Sequence, residues 1–265
     1  MQSLIKLLFV SLILMPIAVS ADYTKRIDVF GIPVIATDGV SDSKLRHAAS
    51  VLAEYLDNNQ DGHADDEAVV EAINDLDGFL YMVADESEED TELPSDDFED
   101  NLDFGQNLFA DEVHPQGSNS NSGFDATLEE VLHLITHVGY ANAYPDRFGE
   151  EPGSELTKAM DWARGGQFID IPDRYPSGAW YTYEDDSCEY DCMATEYFYW
   201  SLTSLLGAQS YGDRASEVSQ EWKLTSASKL KSMDKRMYQL LSTLPIKTIP
   251  KGKYKGSSLT IKSIN

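Results

Sequence analysis

The chain has 265 residues, 46 of them Asp or Glu against 20 Lys or Arg, which leaves a formal net charge of −26. That balance excludes nucleic acid and anionic membrane as partners, because both are bound through Lys and Arg neutralising phosphate, and it makes divalent cations the natural ones. Acidity of this degree also serves solubility under strong salt screening.

Taken in chain order, Lys6 precedes an apolar run from Leu7 to Ile17 and the small residues Ala18, Ser20 and Ala21, the pattern of a cleaved secretory signal. Residues 1–21 are therefore expected to be removed, leaving a secreted or periplasmic product with no membrane association, since no later stretch is apolar enough to span a bilayer. Residues 22–245 suit one globular domain, and residues 246–265 read as a basic surface tail. Arg26 to Thr37 is rich in β-branched residues and broken at Gly31-Ile32-Pro33, so it predicts a strand or hairpin. Ser41 or Ser43 caps a helix over residues 44–56, where Leu45, Ala48, Ala49, Leu52 and Leu56 recur at helical spacing. A second helix covers residues 67–76, and Gly78 to Val83 reads as a buried strand.

Between these two helices runs Asp57-Asn58-Asn59-Gln60-Asp61-Gly62-His63-Ala64-Asp65-Asp66-Glu67, with side-chain oxygens at loop positions 1, 3, 5 and 9 and glycine at 6. The segment resembles the calcium loops of EF-hands, dockerins and thrombospondin type 3 repeats. The resemblance implies that Asp57, Asn59, Asp61 and Asp65 ligate Ca2+ and that His63 gives its carbonyl, with Gly62 allowing the turn. The bidentate glutamate of EF-hands is replaced by Ala68, so Asp66 or Glu67 would close the coordination.

Residues 85–100 hold little beyond carboxylates, Ser, Thr, Leu93, Pro94 and Phe98, and predict a mobile acidic loop. A Ser/Asn/Gly tract from Gln116 to Gly123 leads to the helix over residues 126–138, which contains Glu129-Glu130-Val131-Leu132-His133-Leu134-Ile135-Thr136-His137. At 100° per residue, His137 lies about 40° from His133, with Glu130 about 60° round in the same sense and Glu129 about 40° in the other, so all four share a face. Imidazoles at i and i+4 can hold one zinc ion. Alternatively Thr127 and Glu130 form a capping box, and Gly139 ends the helix.

The His133/His137 pair resembles the zinc helix of the HExxH zincins, and the departure is Leu134 where those peptidases carry their general base. The resemblance implies a zinc-dependent, peptidase-like hydrolase acting on peptide or protein, with the base supplied by Glu130 or Glu129. Its third zinc ligand would be a later glutamate. Glu196, in the apolar helix expected over residues 193–209, suits this because an unpaired charge there demands a partner; Glu155, in a helix over residues 154–164, is the second choice. Tyr181 or Tyr183 could donate to an oxyanion, although core packing serves either equally; His114 is a further candidate ligand, and His47 reads as a surface residue.

Cys188 and Cys192, the sole cysteines, suggest a local disulfide in an oxidising compartment, with zinc thiolates or a redox pair as alternatives. Trp180 to Tyr183 predicts a strand, and a last polar helical region covers residues 216–244. The fold class expected is α+β, mainly helical with a small sheet, compatible with a zincin-like arrangement. A non-catalytic extracellular calcium-binding protein, with a structural metal or none, is the alternative function. An acidic cell-surface or adhesion module is a third.

Overall fold

The computed structural model describes residues 21–119 and 121–264; the expected signal sequence, apart from Ala21, lies outside the described residues. The architecture is α+β, with about 43% of the chain helical. Its sheet comprises β1 (Tyr23–Val29), β2 (Ile32–Thr37), β3 (Phe79–Val83), β4 (Gly105–Phe109) and β5 (Lys262–Ser263) in the order β4-β3-β2-β1-β5. β1 is antiparallel to both β2 and β5, while β2–β3 and β3–β4 are parallel. The hairpin turns at Phe30 and Gly31, with φ of 51° and 92°, the positive pair that suits the twist of the flanking strands. Pro33 lies opposite Asp28 but outside the stretch Val34–Ala36 that pairs with β3, so its missing N–H costs that ladder nothing.

The helices are α1 (Asp42–Leu56), α2 (Glu67–Asp75), α3 (Asp96–Asp100), α4 (Thr127–Leu134), α5 (Ala141–Ala143), α6 (Pro145–Phe148), α7 (Glu155–Arg164), α8 (Tyr190–Leu205), α9 (Arg214–Glu217), α10 (Ala227–Met233) and α11 (Lys235–Ser242). Ser41 caps α1 by accepting from the Lys44 amide, and α1 is buried from Leu45 to Leu56 apart from Arg46. Alternation along the strands sends Ile27, Val34 and Met82 to the main core with α1, α4 and α8. Ile35, Phe79 and Val83 face the opposite side, as a period of two requires, and Tyr23 joins them because the register of β1 shifts between Tyr23 and Lys25.

That second face corrects the expectation of a mobile acidic loop. Residues 85–100 cover it, with Leu93 and Phe98 packed on the strands and the Phe98 ring 4.8 Å from that of Phe79. Glu88 accepts from the Ala84 amide and the Thr37 hydroxyl. Two apolar side chains and one bonded carboxylate anchor the segment, while most of its acids remain in water.

The C-terminal residues are likewise no surface arm. The Lys251 and Lys253 amides donate to the buried carboxylate of Glu54, Asn58 binds the backbone at Lys247 and Thr248, and β5 completes the sheet. Buried carboxylates on α1 and in the following loop require donors, and this segment provides them. The strand expected at Trp180–Tyr183 reduces to one bridge between Tyr181 and Trp222, and the last helical region divides into α9, α10 and α11. The disulfide between Cys188 and Cys192 is formed, at the start of α8.

Candidate metal centre

The helix that carries His133 does not begin with a capping box. Its first turn is held by Asp125, a buried carboxylate that accepts from the His114 and Thr127 amides at 3.1 and 3.3 Å and lies 2.7 Å from His47 Nε2. His47 is thereby an interior residue, 3% exposed, rather than the surface residue expected. The Thr127 hydroxyl is buried without a partner. Glu130, not engaged as a cap, accepts from Gln106 Nε2 at 2.7 Å and approaches His133 Nδ1 at 3.3 Å.

His133 is 9% exposed. Its Nε2 lies 3.7 Å from Glu196 Oε2, beyond hydrogen-bond reach, and is buried with no partner. One ligand atom each from Glu129, His133 and Glu196 falls within 4.8 Å of the others, the single such His/Cys/Asp/Glu group among the described residues. The Tyr183 hydroxyl donates to Glu196 Oε1 at 3.3 Å, and the Tyr199 ring stands edge-on to the imidazole.

Electrostatics inside the group are strained by like charge. Burial, then Glu196 and Glu130, push the Glu129 carboxyl well above the usual range. Burial alone would favour neutral His133, but Glu196 and Glu130 outweigh it and hold the imidazole proton well above the ordinary histidine range. The centre therefore gathers three carboxylates round one imidazole, a donor set suited to a divalent cation.

His137 does not join it. After Leu134 the chain widens into a π-helix over Ile135–Tyr140, so 100° per residue no longer applies and His137 leaves the shared face. Its Nδ1 lies 2.6 Å from Glu150 Oε2, whose other oxygen accepts from Thr195, and it lines a separate cleft with Asp146 and Asp191. Two local causes are visible. The Thr136 hydroxyl donates to the carbonyls of Leu132 and His133, a competing bond that perturbs helices. Gly139 is no helix stop but a contact point, where a Cβ would come 2.7 Å from Val69 Cγ1 on α2.

Of the other candidates, Glu155 sits exposed in the first turn of α7. Tyr181 is fully buried and donates to the Met193 carbonyl, a core role, and His114 contributes its amide to Asp125. In the 57–67 loop, Asp57 is wholly buried and accepts from the Asp61 and Gly62 amides and the Tyr254 hydroxyl. Asn59 accepts from the Asp61 amide and Asp61 from that of His63, Asp65 from the Asn58 amide and the Asn59 side chain. Asp66 turns away to Tyr144. Gly62 has φ 92°, and the His63 side chain is exposed.

A cleft of about 520 Å3 opens at the centre, lined by Glu129, Tyr183, Trp200, Arg214, Glu217 and Glu221 among others. Sequence reasoning missed Glu221. Burial, with Glu196 and Glu184 adding to it against the Trp200 N–H and Arg214, raises its carboxyl to about 7. No motif marks it; the only hint is its place beside Trp222, a large residue certain to be buried. Compared with known families, curated proteins and solved structures, the chain matches none.

Proposed function

We propose that Glu129, His133 and Glu196 hold a zinc ion in an exported metal-dependent hydrolase acting on peptide or protein. The observation that carries this is the buried Nε2 of His133, which has no hydrogen-bond partner and faces Glu196 only across 3.7 Å, since a buried nitrogen without a hydrogen bond costs about 1–3 kcal/mol unless something occupies it. Its Nδ1 faces Glu130, and a carboxylate on the far nitrogen is how metal-bound histidines are oriented. Glu130 is thus assigned to positioning His133 rather than to proton transfer. A zinc ion here supplies Lewis acidity beside the cleft. Glu221, with a pKa near neutrality, is suited to accept a proton from water at physiological pH, and Tyr183 keeps Glu196 in place.

Export rests on the N-terminal pattern and accords with the disulfide. The Asp57–Asp66 loop is assigned to a stabilising Ca2+, supported by its alternating oxygen side chains and the positive φ of Gly62. The test is zinc retention by the mature protein after dialysis, read by elemental analysis and calorimetry. One equivalent is expected in the wild type and in His137→Ala, and none in His133→Ala. Zinc kept by His133→Ala, or lost by His137→Ala, would overturn the ligand assignment. Calcium retained alone would leave a non-catalytic calcium-stabilised domain.

A further inference from the structure

The C-terminal segment inverts the charge of the chain. In a protein of net charge −26, residues 246–265 carry Lys247, Lys251, Lys253, Lys255 and Lys262 and no Asp or Glu. Where this segment is tied to Glu54 of α1, it closes one side of a second cleft of about 300 Å3. Lys251 and Lys253 stand exposed at the rim, Pro115, Leu128 and Ile249 supply apolar wall, and His47 and Asp125 lie buried inside. None of these residues belongs to the Glu129, His133 and Glu196 group.

The polar atoms facing this volume are prepared for a partner they do not have. His47 lines the cleft although it is only 3% exposed. Its Nε2 meets the Asp125 carboxylate at 2.7 Å, and because a carboxylate only accepts, that nitrogen carries the hydrogen and Nδ1 keeps the lone pair. Among the described residues Nδ1 has no hydrogen-bond partner, whereas a buried acceptor ordinarily finds one. Gly252 passes this edge of the ring at φ 64°, where a Cβ would fall 1.9 Å from Nδ1, so no side chain covers it. Asp125 is meanwhile satisfied by the His114 and Thr127 amides as well as by His47. Lys251 and Lys253 bind Glu54 through their backbone amides, and their ammonium groups hold no hydrogen bond or ion pair among the described residues. The Tyr211 hydroxyl on the same wall is likewise without a partner.

We infer that this cleft binds a small organic acid bearing a hydroxyl group. The hydroxyl donates to His47 Nδ1, the carboxylate meets the free ammonium groups of Lys251 and Lys253 through charge-assisted hydrogen bonds, and the apolar body lies against Pro115, Leu128 and Ile249. A volume at the lower end of the range for ligand sites suits a small molecule. The site is independent of the metal centre and stands whether or not the hydrolase reading does.

The experiment is calorimetric titration of the metal-free mature protein with three matched probes: mandelate, phenylacetate, which lacks the hydroxyl, and phenylethanediol, which lacks the carboxylate. Mandelate is expected to bind about tenfold tighter than either. A hydroxy acid can also chelate a metal ion, so the titration is repeated on His133→Ala, where the same preference is expected. Lys251→Gln plus Lys253→Gln should erase the preference for mandelate over the diol with an unchanged Tm, because it is their backbone amides that hold the segment. Saturating mandelate should also shift the imidazole nitrogen resonances of His47, which phenylacetate should leave in place. Equal affinity for the three probes, mandelate binding that disappears in His133→Ala, a preference that survives the double lysine substitution, or His47 resonances unmoved by mandelate would each overturn the proposal.

Discussion

Zinc binding should release protons, and the number follows from the side chains that surround the site. In the metal-free protein His133 and Glu129 both have raised pKa values, and zinc requires both deprotonated. Below both raised values, log K should therefore climb with a slope of two per pH unit. Each proton is worth about 1.4 kcal/mol per unit, so the pair gives a hundredfold change in affinity, about 2.7 kcal/mol. The slope falls to one when pH passes the lower of the two values and to zero above both. Glu129→Gln, which mimics the protonated carboxyl, should lower the limiting slope to one and weaken binding while leaving metal-free stability within about 0.5 kcal/mol. The same shifts act on folding: groups that bind protons more tightly folded than unfolded make metal-free stability fall as pH rises through the window between their unfolded and folded pKa values. Calorimetry in buffers of different ionisation enthalpy counts the protons directly. A pH-independent affinity, or an unchanged proton count in Glu129→Gln, would refute the reasoning.

Three further outcomes follow from the fold and the calcium loop. Gly252 has φ 64°, and a Cβ there would fall 1.9 Å from His47 Nδ1, so Gly252→Ala should cost about 3 kcal/mol or more through overpacking and backbone strain; a urea midpoint equal to the wild type's would contradict this. His137 has its pKa raised mainly by the hydrogen bond to Glu150, so the pair stabilises the protein fully below the unfolded histidine pKa of about 6.5 and loses that contribution as pH rises through the folded value. His137→Ala should accordingly show its largest Tm deficit in acid, and a deficit that grows towards alkaline pH would reverse the sign. Millimolar Ca2+ should raise Tm in the wild type but not in Asp61→Ala, and a shift of the same size in both would remove the ion from the 57–67 loop.

Glu196 was legible as a centre residue because a charge inside Thr195-Glu196-Tyr197-Phe198-Tyr199 has no apolar solution and must find a partner. His133 was legible from its apolar neighbours and nearby acids. That His133 and His137 part was not, because a spacing of four brings two side chains to one face only in an unbroken α-helix and the chain here turns to a π-helix at Ile135. Of the cues against it, Thr136 bonding back into the previous turn is local but common in unbroken helices, and Gly139 pressed against Val69 takes effect only once α2 is packed alongside.

The sequence alone determined the elements whose signals lie within a few residues of each other: the hairpin, α1 with a serine cap that the structure narrows from Ser41 or Ser43 to Ser41, β3, α7 between Ser154 and Gly165, and a disulfide four residues long. Periodicity, capping and short covalent loops are local interactions, readable without knowing what lies opposite. Only the tertiary structure decided that Glu129 rather than His137 meets Glu196, that Glu130 turns to Gln106 and His133, that residues 85–100 and the C-terminal segment are packed, and that Glu221 lines the cleft. Each of these depends on burial and charge shared between segments far apart in the chain, where the position of a side chain is set by the elements packed against it.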